Sequence, residues 1–148
     1  MTLLTRKVDY AILVLSYLHG HTEGACAREI AARIGLSRAF VANILKELCA
    51  KGYVSSYRGV KGGYVLLRPL DRVTLSEFID SLENQPVQFA ACTQPDPEDG
   101  CSLIGTCPVR LPIAEIHHRI RAVLDGVTLA ELFRMKPSAE AELLTLGV

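Results

Sequence analysis

The chain has 148 residues, 49% of them hydrophobic, enough for one ordinary core or for a small domain with an appended dimerisation element. No apolar run approaches the roughly 20 residues of a bilayer-spanning helix, and the start around Arg6, Lys7 and Asp9 lacks a small-residue cleavage site, so neither membrane anchor nor signal peptide is expected. The net charge of zero conceals an asymmetry: residues 1–70 hold ten Lys/Arg against four Asp/Glu (+6), and residues 71–148 hold six against twelve (−6). A basic front half suits phosphate neutralisation, and an acidic back half, which repels DNA, suits sensing or dimerisation. A cytoplasmic location follows, where the five cysteines are expected as reduced thiols or ligands rather than disulfides.

The first predicted helix runs from Leu3 to Leu18, with Ala11, Leu15 and Leu18 on one stripe and Val8, Ile12 and Val14 widening it. After a loop through Gly20 and Gly24, Cys26-Ala27-Arg28-Glu29 has the shape of a capping box with Cys in the Ser/Thr place. It opens a helix from Ala27 to Arg33 that buries Ile30 and Ala31 and is ended by Gly35. Ser37 is a good N-cap for the next helix, which runs to about Ala50. Two helices joined by a short Gly-containing turn make a helix-turn-helix. On a helical wheel of the second, Val41, Ile44, Leu45 and Leu48 cluster, with Phe40 at the margin. Ala39, Ala42, Asn43 and Lys46 lie opposite, with Arg38 near the N-terminal tip. Small, amide and basic side chains on an exposed face can approach base edges and phosphates. Arg38, Ala39, Phe40 and Asn43 are therefore expected at the major groove and Lys46 at a phosphate.

Two segments rich in β-branched and aromatic residues follow, Tyr53 to Tyr57 and Tyr64 to Leu67. The turn between them, Arg58-Gly59-Val60-Lys61-Gly62-Gly63, predicts a hairpin wing. Arg58 and Lys61 at its tip suit a minor groove or backbone phosphates. The turn lacks Walker spacing and opens no helix, which excludes a nucleotide loop. Thr74-Leu75-Ser76-Glu77 caps a short helix to about Leu82. From Asn84 to Thr106 the chain loses periodicity, and a loop of that length is functional or disordered. Helix resumes near Leu111, where Ile113, Ile116, Ile120, Val123, Leu124 and Val127 form a sustained stripe that needs a partner surface. Thr128-Leu129-Ala130-Glu131 caps a last short helix before a weakly ordered tail.

The reading is of a mainly α fold with a small β-hairpin wing. A winged helix-turn-helix over 1–70 precedes a connecting helix and cysteine-bearing sensor loop over 71–110. A long dimerisation helix and a short C-terminal helix follow over 111–136, then a tail over 137–148. Cys92, Cys101 and Cys107, with eight and five residues between them, sit at the sensor loop. Three thiolates can wrap one face of a 2Fe–2S or 4Fe–4S cluster, hold zinc with one further ligand, or act as a metal-free redox switch. Cys26 and Cys49 fall in the helix-turn-helix and read as small buried hydrophobes. The residues offer no catalytic triad or paired-carboxylate site, so no enzyme is expected. A metal-binding scaffold without operator specificity is the alternative from another class.

From Thr5-Arg6-Lys7-Val8-Asp9-Tyr10-Ala11, through the helix-turn-helix and the Arg58…Gly62-Gly63-Tyr64 wing, to the three cysteines and Val127–Leu132, the chain resembles the Rrf2 family of winged-helix regulators. The resemblance covers roughly residues 1–133, and the family includes iron–sulfur and nitric-oxide-sensing members. It implies a homodimer with a crossed dimerisation helix, bound to a pseudo-palindromic operator in duplex DNA. It also implies a cluster on Cys92, Cys101 and Cys107, since cluster-binding relatives typically keep five residues between the last two cysteines. Some relatives place a His ligand three residues after the last Cys, a position held here by Arg110. Others take an acidic ligand from the partner subunit, which maps onto Asp9. His117 and His118 on the dimer helix are read as interface or surface histidines.

Overall fold

Thr5, not Leu3, starts the first helix: its hydroxyl accepts from the Val8 amide, and α1 runs Arg6–His19. The computed structural model describes residues 3–60, 62–94 and 101–135. Lys61, residues 95–100 of the predicted sensor loop and the predicted tail over 137–148 lie outside the described residues. α1 buries Val8, Ala11, Val14, Leu15 and Leu18, at the i, i+3, i+4 and i+7 spacing of an amphipathic helix.

α2 (Ala27–Ile34) and α3 (Arg38–Ala50) follow as expected. Gly35 closes α2 at φ 79°, a left-handed conformation that any side chain would strain. Ser37 caps α3 by accepting from the Phe40 amide at 3.2 Å. β1 (Val54–Tyr57) pairs antiparallel with β2 (Gly63–Leu66) in the register Val54 to Leu66 and Tyr57 to Gly63. After a single 3₁₀ turn at Leu70–Arg72 comes α4 (Leu75–Glu83), capped by Thr74. The predominantly helical chain with one antiparallel hairpin is the expected fold class.

The segment after α4 keeps more structure than its composition suggested. Val87 is buried, and its amide donates to Asp80 Oδ1 at 2.8 Å. A 3₁₀ turn at Ala91–Thr93 then packs on α5 (Arg110–Asp125). α6 (Leu129–Arg134) returns to the front of the molecule. There the Leu129 amide donates to Val73 O and the Leu75 amide to Val127 O, so the ends of the two segments are stitched together. One continuous core joins α1, α3, Tyr53, Phe78, Ile79 and Leu129.

Candidate nucleic-acid interface and cysteine site

α3 divides as its wheel requires. Val41, Ile44, Leu45 and Leu48 are buried against the core, while Arg38, Ala39, Phe40, Asn43 and Lys46 are all exposed. Arg38, Ala39 and Phe40 occupy the first turn, where Ser37 fixes the chain's entry, so they project from the leading end of the helix. Phe40 is held edge-on against Tyr10 of α1 at 5.3 Å between ring centroids. Such a pairing adds about 0.5–1.5 kcal/mol beyond buried area and limits the ring's freedom. Between α1 and α3 lies a cleft of about 410 Å³ lined by Arg6, Lys7, Tyr10, Phe40, Asn43, Ile44 and Glu47. Lys7 is engaged there, pairing with Glu47 at 3.2 Å and donating to Leu82 O.

The wing is anchored at its base. The Ala25 amide donates to Tyr64 O at 3.0 Å and the Tyr64 amide to Ala25 O at 2.9 Å, which adds a one-residue bridge beside β2. That approach explains Gly63, since a Cβ there would stand 2.7 Å from Ala25 O. Gly24, at φ 85°, would place a Cβ 2.6 Å from Tyr64 O. Both glycines let two backbones touch; neither was singled out for this in the sequence, because the contact is non-local. Arg58 is exposed at the end of β1, with Gly59 at φ 138° and a fully exposed Val60 beyond it. At the other end Arg68 stacks over Tyr53, 5.2 Å from the ring centroid, and pairs with Glu77 at 3.1 Å.

The thiols sort as their environments dictate. Cys26 precedes α2, and Glu29 reaches back to its amide at 2.8 Å. That bond, then the one to the Cys26 side chain, holds the Glu29 carboxyl below its usual range. Burial pushes the Cys49 thiol up, as expected of an inert structural cysteine. Cys92, Cys101 and Cys107 are free and half-buried. Cys92 lies on the 3₁₀ turn against α5, and the Cys107 carbonyl accepts from the Arg110 amide at the start of that helix. Among the described residues no three His, Cys, Asp or Glu side chains converge as a metal-holding group, so the three thiols are not gathered in this chain. Asp9 is exposed on α1. Their donor chemistry nonetheless suits a thiolate-bound group, being three reduced sulfurs around one connecting segment.

The long apolar stripe of α5 resolves into two faces. Ile113, His117, Ile120 and Leu124 turn inward, and Leu124 is buried in the core. Val109, Ile116 and Val123, seven residues apart, are 55%, 42% and 67% exposed. One guanidinium nitrogen holds the inner face: Arg121 Nη1 donates to both Asp80 oxygens at 2.8 Å. Asp80 therefore joins α4, α5 and the Val87 amide at one carboxylate. Nothing in the sequence flagged this junction, since its partners stand 7 and 41 residues away. The inward face also buries His117 Nδ1, which has no hydrogen-bond partner among the described residues. His118 is exposed, as a surface histidine should be.

A capped recognition helix with a small, amide and basic outer face, followed by a docked β-wing, defines a winged-helix transcriptional regulator. The chain belongs to the Rrf2 family, described as iron-dependent transcriptional regulator, whose profile matches residues 4–135. It is 28% identical over 137 residues to an rrf2-like helix-turn-helix-type transcriptional regulator of Rhodobacter capsulatus, covering 88% of this chain and 91% of that one. Among solved structures it resembles CymR, the global cysteine regulator of B. subtilis, with a TM-score of 0.68, 28% identity and coverage of 90% and 98%. It also resembles IscR of T. potens, with a TM-score of 0.64, 25% identity and coverage of 88% and 85%. The family and these neighbours are regulators, not enzymes. Among the described residues no helix is long and apolar enough to cross a membrane.

Proposed function

We propose that the protein is a homodimeric, sequence-specific DNA-binding regulator of the cytoplasm. It senses iron–sulfur, redox or nitric oxide status through a cluster bound by Cys92, Cys101 and Cys107. The observation that carries the DNA half is the exposed face of α3, which offers Arg38, Ala39, Phe40 and Asn43 to a major groove and Lys46 to a phosphate. Arg58, with Lys61 beside it in sequence, reaches the neighbouring minor groove or backbone. The dimer is supported by the outer face of α5, because Val109, Ile116 and Val123 expose a heptad-spaced stripe that a second copy would cover. A two-fold pair then presents two recognition helices to a pseudo-palindromic operator.

The sensing half is supported by three free thiols flanking one segment and by the iron-dependent description of the family. When bound, the cluster supplies iron–thiolate bonds sensitive to oxidants, nitric oxide and iron supply. Cys92, Cys101 and Cys107 hold it, with a fourth donor for which the resemblance offers Asp9 of the partner subunit. Gathering the thiols fixes Cys92, Cys101 and Cys107 relative to one another, and metal–thiolate bonds offset the entropy of that constraint. Asp80 carries the change, since the Val87 amide, α4 and Arg121 of the dimer helix meet there. A shift of α5 against α4 alters the spacing of the recognition helices, so holo and apo dimers differ in operator affinity. A second reading, a metal-free thiol switch on the same fold, is supported by Cys92, Cys101 and Cys107 being free and half-buried.

Selection of binding sites from random duplex DNA, followed by affinity against salt, tests the first half. An enriched pseudo-palindrome with steep salt dependence is expected. Failure to enrich any sequence would return the protein to the scaffold class. Anaerobic purification with an absorption spectrum and iron and sulfide analysis tests the second half. A colourless protein carrying zinc, or no metal after reconstitution, removes the cluster.

A further inference from the structure

Phe40 is the only aromatic residue of α3, and it stands exposed in the helix's first turn beside Arg38 and Ala39. A single exposed ring needs no partner as such; the position and the hold set this one apart. Its ring meets Tyr10 of α1 edge-on, with 89° between the planes. With Tyr10, Asn43 and Ile44 it lines the cleft between α1 and α3. Lys7 and Glu47 neutralise one another there, and Arg6 on the same cleft is exposed and makes no ion pair among the described residues. The apolar lining of Tyr10, Phe40 and Ile44 is thus bordered by an amide and a cation, a setting that does not repel a phosphate backbone.

A phenyl ring has no hydrogen-bond donor for a phosphate or a base edge, so at an operator it offers apolar surface alone. The major-groove edges of the base pairs are hydrogen-bond donors and acceptors with one apolar group among them, the C5-methyl of thymine. We infer that Phe40 is a specificity-determining residue that reads one thymine methyl in each half-site of the operator. This rests on the reading of α3 as the recognition helix, and it turns a groove contact into a base preference. The contact with Tyr10 limits the ring's freedom before DNA arrives, so less side-chain entropy is lost on binding. Arg38, Asn43 and Lys46 on the same face carry polar groups that suit base edges or phosphates. Ala39, whose methyl is the other exposed apolar group of that turn, is the competing reader.

The test takes the full-length protein and the operator enriched from random duplex DNA, with affinity read by fluorescence anisotropy at fixed salt. Deoxyuridine replaces thymine, first throughout the operator and then one position at a time, which removes the C5-methyl and leaves base pairing intact. The wild type should bind about 4-fold more weakly with one contacted thymine replaced and about 15-fold more weakly with both half-sites replaced, as burial of one methyl each requires. Phe40→Ala and Phe40→Gln, checked for folding by circular dichroism, should bind the thymine and uridine operators equally. Ala39→Gly should keep the wild-type preference. As a measurement that needs no variant, 5-iododeoxyuridine, whose iodine takes the methyl's place, should crosslink to Phe40 on irradiation. Equal affinity of the wild type for the thymine and all-uridine operators overturns the methyl contact and leaves operator binding in place. Uridine sensitivity that persists in Phe40→Ala, or a crosslink to Ala39 instead, overturns the assignment to Phe40. If no duplex is enriched at all, the recognition-helix reading fails and the contact with it.

Discussion

The front and back of this molecule are stabilised by different means. Val8, Val14, Leu15, Leu45 and Leu48, at 0% exposure, and Tyr53 at 1% sit in one core with Phe78 and Ile79 of α4 and Leu129 of α6. α5 buries Leu124 alone, leaves an apolar stripe outside, and is attached through the Asp80–Arg121 pair. A helix packed on that shared core, as α3 is through Val41, Ile44, Leu45 and Leu48, is held on its whole inner face. α5 has fewer buried side chains to resist displacement, and Cys92 lies on the 3₁₀ turn packed against it. On the proposed function, the well-packed region would read the operator and the sparsely packed one would respond to the signal.

The largest expected effect contrasts the two cores. Leu45→Ala should lower unfolding free energy by about 2–5 kcal/mol, through lost transfer energy and a residual cavity. Val123→Ala, at an exposed position, should change the stability of the single chain by within about 0.5 kcal/mol while weakening dimerisation. Chemical denaturation and analytical ultracentrifugation read the two quantities separately. Equal destabilisation by both would erase the distinction between the regions.

Asp80→Asn addresses the joint between them. Arg121 would keep a half-buried charge without its counter-ion and Val87 a weaker acceptor, at a cost of about 1–3 kcal/mol in stability. The sharper expectation is functional: operator affinity of the holo and apo forms should converge, because the sensor segment and α5 lose their shared anchor. A variant that keeps the full holo–apo difference would show that coupling bypasses Asp80.

Arg58→Ala should weaken operator binding by about 1–3 kcal/mol if the side chain enters a groove, or reduce the salt slope by about one if it meets a phosphate. Fluorescence anisotropy at several salt concentrations distinguishes these, and no change at any salt would remove the wing from recognition. Stability of the dimer should be untouched.

The smallest effect is a pH dependence at α6. The Thr128 amide, then its hydroxyl, hold the Glu131 carboxyl below its usual range. The folded value lies below the unfolded one, so the cap's contribution is present above the unfolded pKa and fades as pH falls through the folded one. Thermal melts on acidification should show a shallower decline for Glu131→Gln, which keeps the reach but not the titration. Parallel declines would assign the acid sensitivity elsewhere.

By itself the sequence determined whatever depends on residues within a turn or two of one another. The spacing of Val41, Ile44, Leu45 and Leu48 set the buried side of α3 and so exposed Arg38, Asn43 and Lys46. Ser37, Thr74 and Thr128 marked three helix starts. Thr5 was overlooked as a cap because Leu3 and Leu4 extend the apolar pattern beyond the helix. Only the tertiary structure decided the rest. Gly63 is needed because Ala25, 38 positions earlier, brings its carbonyl to the strand. Asp80 matters because Arg121 and Val87 reach it from separate elements. His117 differs from His118 by one position, or 100° of helix, and that rotation turns one ring onto the fold and the other to solvent. Periodicity specifies that a face is buried; which atoms it is buried against, and which are left without a partner, is settled when distant segments meet.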